Sequence, residues 1–209
     1  QWYQQLFDMV PEVERRAFVG RPPIEQEHVS RRCHRLSQAH LRLETSADDA
    51  LVTSLIITSR LHVEVALGLA LTSQEWTLAL DAWPAKGVVN IPMRPVSAVG
   101  DVRVRGADGT PAVVDPGLYG FEGAGLPPRL FAIAGALPNP ERAVAGIEID
   151  FTAGFGATAA SVPEPIRHAL KLLVAHWYEH RDPIEIGDPA TAMPAAVSEL
   201  LKPYAVVRL

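Results

Sequence analysis

The chain has 209 residues, 48% hydrophobic and 21% charged, which suits one compact domain or a domain with an inserted module and excludes a disordered or fibrous chain. With 19 Lys and Arg against 24 Asp and Glu, its formal charge is −5, the wrong sign for a protein that grips nucleic acid by neutralising phosphates. Cys33 is the single cysteine, so no intramolecular disulfide can form, and a reducing compartment fits.

The start Gln1-Trp2-Tyr3-Gln4-Gln5, followed by Asp8, Glu12 and Glu14, has neither the basic opening nor the apolar run of a signal peptide, and synthesis in the cytosol is expected. Residues 1–33 read as an N-terminal extension with a short helix at about 4–9 and a turn at Gly20-Arg21-Pro22-Pro23. Arg31, Arg32, Arg35 and Arg42 form a basic cluster that suits an acidic partner or DNA, or else a solvated helix face.

Ser46-Ala47-Asp48-Asp49 is a helix start, with Ser46 as cap and the two aspartates at the positive end of the dipole. Leu51, Leu55, Ile56, Ser59, His62, Val63 and Ala66 recur at helical spacing, and Gly68 offers a left-handed stop. Arg60, His62 and Glu64 interrupt the apolar run from Leu51 to Leu71, so no membrane span is expected.

From Glu75 the period falls to two. Trp76, Leu78 and Leu80 oppose Glu75, Thr77, Ala79 and Asp81, as in a half-buried strand. Further strands are predicted at Val88–Ile91, Val96–Arg105, Ala112–Val114, Arg129–Ile133 and Val144–Phe151, with a hairpin turn at Ala107-Asp108-Gly109-Thr110. Pro127-Pro128 and Pro138-Asn139-Pro140 mark loops or sheet edges, and the glycine-rich run from Gly120 to Gly125 reads as a loop.

Pro163 and Pro165 fit the first turn of a second long helix with the apolar stripe Ile166, Ala169, Leu170, Leu173, Val174 and Trp177. Asp182-Pro183 should end it. A short helix is predicted at about Ala195–Leu201, broken by Pro203 before the apolar tail Tyr204 to Leu209. The implied fold is α+β: a helical bundle of two long helices plus short ones, with an inserted small antiparallel β domain. Its segments are 1–33 (extension), 34–70 (first part of the bundle), 71–156 (β domain) and 157–209 (second part and tail).

His176-Trp177-Tyr178-Glu179-His180 matches the H-x-x-E-H pattern of inverted zinc peptidases. Both histidines share a helix face, and Glu179 would serve as base. A third ligand is required, and only Glu185, Asp188 and Glu199 follow, so a zinc-dependent hydrolase using His176, Glu179 and His180 is the alternative function rather than the first. Cys33 lacks a His and Asn or Asp arrangement, and no Gly-x-Ser-x-Gly elbow or phosphate-binding loop occurs.

In order along the chain stand Ala39-His40-Leu41-Arg42-Leu43, Asp48-Asp49-Ala50-Leu51, Thr72-Ser73-Gln74-Glu75-Trp76-Thr77-Leu78, Leu80-Asp81-Ala82-Trp83-Pro84 and Ile91-Pro92-Met93-Arg94-Pro95-Val96. Asp115-Pro116-Gly117-Leu118-Tyr119, Phe151-Thr152-Ala153-Gly154-Phe155-Gly156, Val162-Pro163, His176-Trp177-Tyr178-Glu179 and Leu200-Leu201-Lys202-Pro203-Tyr204 follow. By these landmarks residues 36–204 resemble the head–tail adaptor (connector) proteins of long-tailed phages and gene transfer agents, in their larger form with an inserted β domain.

The resemblance implies a structural subunit without catalytic residues, metal or cofactor, made in the bacterial cytoplasm and resident in the particle neck, with another neck or tail-completion protein as a further alternative. It implies a homo-oligomeric ring, typically twelvefold, docked beneath the portal protein and presented to the next neck or tail component. Double-stranded DNA would pass through it without sequence-specific binding. It also implies that the C-terminal segment Pro203, Tyr204, Ala205, Val206, Val207, Arg208 and Leu209 reaches the portal. The front departs from the pattern, since such proteins begin close to their first short helix.

Overall fold

In the computed structural model the described residues are 18–20, 48–133, 137–180 and 193–205. They fall in two compact units, Gln1–Pro22 with Ser73–Gly154, and Pro23–Thr72 with Phe155–Leu209.

The first unit is built on strand alternation. In chain order its strands are β1 (Phe18–Gly20), β2 (Gln74–Leu80), β3 (Val88–Asn90), β4 (Val96–Arg105), β5 (Pro111–Val113), β6 (Tyr119–Glu122), β7 (Arg129–Ala132) and β8 (Ile147–Ala153). They make a five-stranded sheet in the order β1-β2-β8-β4-β5 and a three-stranded sheet β3-β7-β6, with every pairing antiparallel.

Ile147, Ile149, Phe151 and Ala153 of β8 are buried while Glu148, Asp150 and Thr152 between them are half-exposed, the pattern of a sheet with one covered face. Register carries it sideways: Leu78, Ile149 and Val102 lie abreast, as do Leu80, Ile147 and Val104. The inner residues of β4 are spaced irregularly, at Val96, Val99, Val102 and Val104. Two irregularities in its pairing with β8 each insert an extra β4 residue, so all four valines still meet the buried residues of β8.

The β4–β5 hairpin turns on Gly109, at φ +81°, and on Asp108, whose carboxylate accepts from Thr110 N at 2.9 Å. In the smaller sheet Val89 and Leu130 pair directly and both are fully buried. The Phe131 ring lies over Gly120, where a Cβ would come within 2.7 Å of it.

The second unit holds α1 (Asp49–Leu67), α2 (Glu164–Glu179) and α3 (Ala195–Leu201). Gly68, at φ 61° and ψ 41°, ends α1, with Leu69 N donating to Glu64 O at 3.0 Å and Gly68 N to Val65 O, a paired C-terminal cap. Pro163 and Pro165 begin α2, whose Ile166, Ala169, Leu173 and Val174 are buried. Of these, Ile166, Ala169 and Leu173 close on Val63 of α1, Val197 and Leu201 of α3, and Leu69, Leu71 and Val162 from loops.

The expected helical bundle with two long helices is therefore corrected. The chain is a mixed α+β fold with two antiparallel sheets and, among the described residues, three helices. One of these helices has only 7 residues, against 19 and 16 for the others, and the three do not enclose a bundle core by themselves. Loop residues complete their core instead.

Two strands were not anticipated. β1 lies in what reads as an extension, and β6 overlaps a glycine-rich run that reads as a loop. The helix at 4–9, Ser46, Cys33, the basic cluster Arg31 to Arg42 and the Asp182-Pro183 stop lie outside the described residues.

Candidate assembly site

The C-terminal turn of α2 places each residue of the H-x-x-E-H string differently. Trp177 faces inward onto the core cluster and meets the His62 ring edge-on at 5.9 Å and 85°. Burial lowers the His62 pKa from its ordinary value, favouring the neutral ring. Tyr178 donates its hydroxyl proton to Asp48, at the start of α1.

The His176 and His180 rings lie with centroids 4.4 Å apart, tilted by 40°, and the His176 carbonyl oxygen accepts from both His180 Nδ1 at 2.8 Å and His180 N at 3.0 Å, closing the helix end. Glu179 is exposed. Among the described residues no group of three or more His, Cys, Asp and Glu side chains could hold a metal ion. Of the possible third ligands, Glu199 sits exposed on α3 beside Lys202 at 3.6 Å, and Glu185 and Asp188 lie outside the described residues. The string works as a helix end that ties α2 to α1.

At the other end of α1 a polar clamp went unread in the sequence. Glu64 is buried, and its Oε1 accepts from Leu71 N at 2.8 Å and from Arg60 Nε at 3.2 Å. Arg60 also donates to Thr72 Oγ1 at 3.2 Å. The i,i+4 spacing of Arg60 and Glu64 was the available signal. By length and composition α1 could cross a membrane, but this ion pair near its C-terminal end binds it to its own following loop.

The polar face of the larger sheet carries a cross-strand ladder. Arg103 reaches Asp150 at 2.7 Å, Arg105 reaches Glu148 at 2.7 Å, and Thr77 Oγ1 donates to Asp150 Oδ1 at 2.7 Å. The hydrogen bond to Asp150 raises the pKa of Arg103 further.

Of the tail, Lys202–Tyr204 forms a 3-10 turn. Pro203 and Ala205 are exposed, whereas Tyr204 is half-buried against the helical core. Val206, Val207, Arg208 and Leu209 lie outside the described residues.

No family model matches the chain, and no curated protein matches it. Solved structures do. A chain from the neck of an empty gene transfer agent particle, computed with C6 symmetry, is 29% identical with a TM-score of 0.76, over 92% of this chain and 97% of that one. One from the virion of a native gene transfer agent particle is 32% identical at a TM-score of 0.70, over 84% of this chain and 90% of that one. One from the native particle's neck, computed with C12 symmetry, is 29% identical at a TM-score of 0.70, with the coverage of the first.

Fold and likeness together define a structural protein of particle necks. The chain belongs to the head–tail adaptor family of phages and gene transfer agents.

Proposed function

We propose that this chain is the subunit of a homo-oligomeric ring beneath the portal of a tailed phage or gene transfer agent particle, prolonging the DNA channel and joining head to tail. The observation that carries the reading is the likeness to a neck subunit over 92% of this chain and 97% of that one. Neck structures of both C6 and C12 symmetry among the neighbours support repetition about an axis. A formal charge of −5 suits a channel through which a duplex passes without adhering. The work is mechanical, and no step of it needs a nucleophile or a metal.

In this reading the C-terminal residues reach the portal. Because Tyr204 packs on the helical core, a cut after Lys202 would damage the fold together with the contact. A chain ending at Ala205 separates the two. Image reconstruction of particles carrying the full or shortened chain, with portal pull-down, is the test: the shortened chain should fold and fail to join the portal. If it joins normally, the tail assignment fails, and if the full chain is absent from the neck, the adaptor role fails.

A further inference from the structure

Helix α1 carries its charges on the wrong side for a helix that faces water. Arg60 and Glu64 turn inward, with side chains 21% and 10% exposed, and bond to each other and to Leu71 and Thr72. The exposed positions from Ala50 to Leu67 are Ala50, Ser54, Ile57, Thr58, Leu61 and Val65, and none is charged.

Ile57, Leu61 and Val65, at successive turns, are 50%, 55% and 75% exposed and form a ridge about 12 Å long. Thr58 directs its hydroxyl to Ser54 O at 2.9 Å, so even that polar side chain is satisfied within the helix. A solvent-facing helix ordinarily shows the reverse arrangement, polar outward and apolar inward. Such a contiguous uncharged ridge marks a surface that is covered in the working state.

The chemistry narrows the cover. Among the described residues, a duplex would find no exposed cation along the helix from Ala50 to Leu67 to meet its phosphates. A bilayer would have to take in Arg60 and Glu64 together with the ridge. A second copy of this chain has neither difficulty, and the neck neighbours, computed with C6 and C12 symmetry, repeat their chains about an axis. We infer that the Ile57, Leu61 and Val65 ridge is the seam on which the next copy of this chain packs in the ring. The inference rests on the ring proposed above. In a cyclic array of more than two copies the contact is heterologous, so the ridge meets a different patch of its neighbour.

The test places a photo-reactive amino acid at position 61 in assembled particles made from a mixture of light and 15N-labelled chains, with position 101 as a control. Position 61 should give peptides joining light to heavy chains, and position 101 should not. Products confined to one chain, for example to residues 21–47, would overturn the seam. So would products with the portal or DNA, or no product at all.

Imaging of the same particles separates the two claims. A ring without light-to-heavy products at 61 sinks only the seam, whereas no ring sinks the function on which it rests. Leu61→Glu adds a second readout. At an exposed position it should leave the far-ultraviolet spectrum and melting of the isolated chain unchanged while abolishing its incorporation into particles, and normal incorporation would reject the seam.

Discussion

Tyr178, in the last turn of α2, gives its hydroxyl proton to the carboxylate of Asp48, which stands just before α1 and 130 positions earlier in the chain. Asp48 makes no side-chain capping bond to α1. It serves tertiary structure instead, fastening the end of one helix to the start of another. Tyr178→Phe keeps the ring and removes this bond to a charged acceptor, so the helical unit should lose about 1–2 kcal/mol. Urea unfolding of the two proteins measures it. An unchanged midpoint would mean that the pair is no more than a surface contact.

The Glu64 clamp should matter more. The carboxylate is buried and holds Leu71 N where no strand or helix supplies a partner. Glu64→Leu strands that donor and takes the carboxylate partner from Arg60, and about 2–3 kcal/mol of destabilisation is expected. Glu64→Gln keeps an acceptor oxygen and should recover much of the loss. Equal melting of the two variants would show that the charge, rather than the hydrogen bond to Leu71, was the stabilising element.

Glu64 also shows why part of the fold was legible and part was not. In β8, apolar and polar residues alternate cleanly, so sequence and burial agree residue by residue. In α1 apolar residues occur nearly all round. Spacing then supports several faces, and the stripe read from Leu51 to Ala66 captures the buried Ser59 and Val63 but not the buried Val52 and Glu64.

β6 was missed because Gly120 lowers strand propensity, although it is the residue that admits the Phe131 ring. β1 owes its place to pairing with β2, a non-local contact that no local pattern announces. The bundle was overestimated for a related reason: helical periodicity reports that a helix has an apolar face, not what covers that face. The H-x-x-E-H string was legible as a motif, yet its role came from Asp48 and His62, both more than a hundred residues away.

Acid should weaken the helical unit through His62. Burial lowers its folded pKa, whereas in the unfolded chain it titrates near the ordinary value of 6.5. The unfolded state therefore takes up the proton first. Stability from the neutral ring against Trp177 is complete above that value and declines as pH falls below it toward the folded pKa. Melting temperatures from pH 7.5 to 5 should fall, and His62→Phe should flatten the profile. An identical slope in the variant would assign the acid sensitivity to other groups.

Two glycines of the sheet unit should respond to alanine for different reasons. Gly109 has open space around it but φ of +81°, so Gly109→Ala carries only the strain of a left-handed conformation, about 1 kcal/mol. Gly146 has no such dihedral. A Cβ there would collide with the Arg142 carbonyl oxygen and approach Pro140 Cβ to 2.6 Å.

The loop opposite cannot simply withdraw. Glu141 N donates to Arg105 O at 3.1 Å and Ala145 N to Asp81 Oδ1 at 2.8 Å, while Gly146 O itself accepts from Arg105 N at 2.8 Å. Gly146→Ala should therefore cost about 2–3 kcal/mol, the upper end of overpacking penalties, because backbone rather than a mobile side chain has to move. Paired thermal melts decide the matter: Gly146→Ala should melt well below Gly109→Ala. The reverse order would mean that the loop from Pro138 to Ala145 yields freely and contributes little to holding β8 against β4.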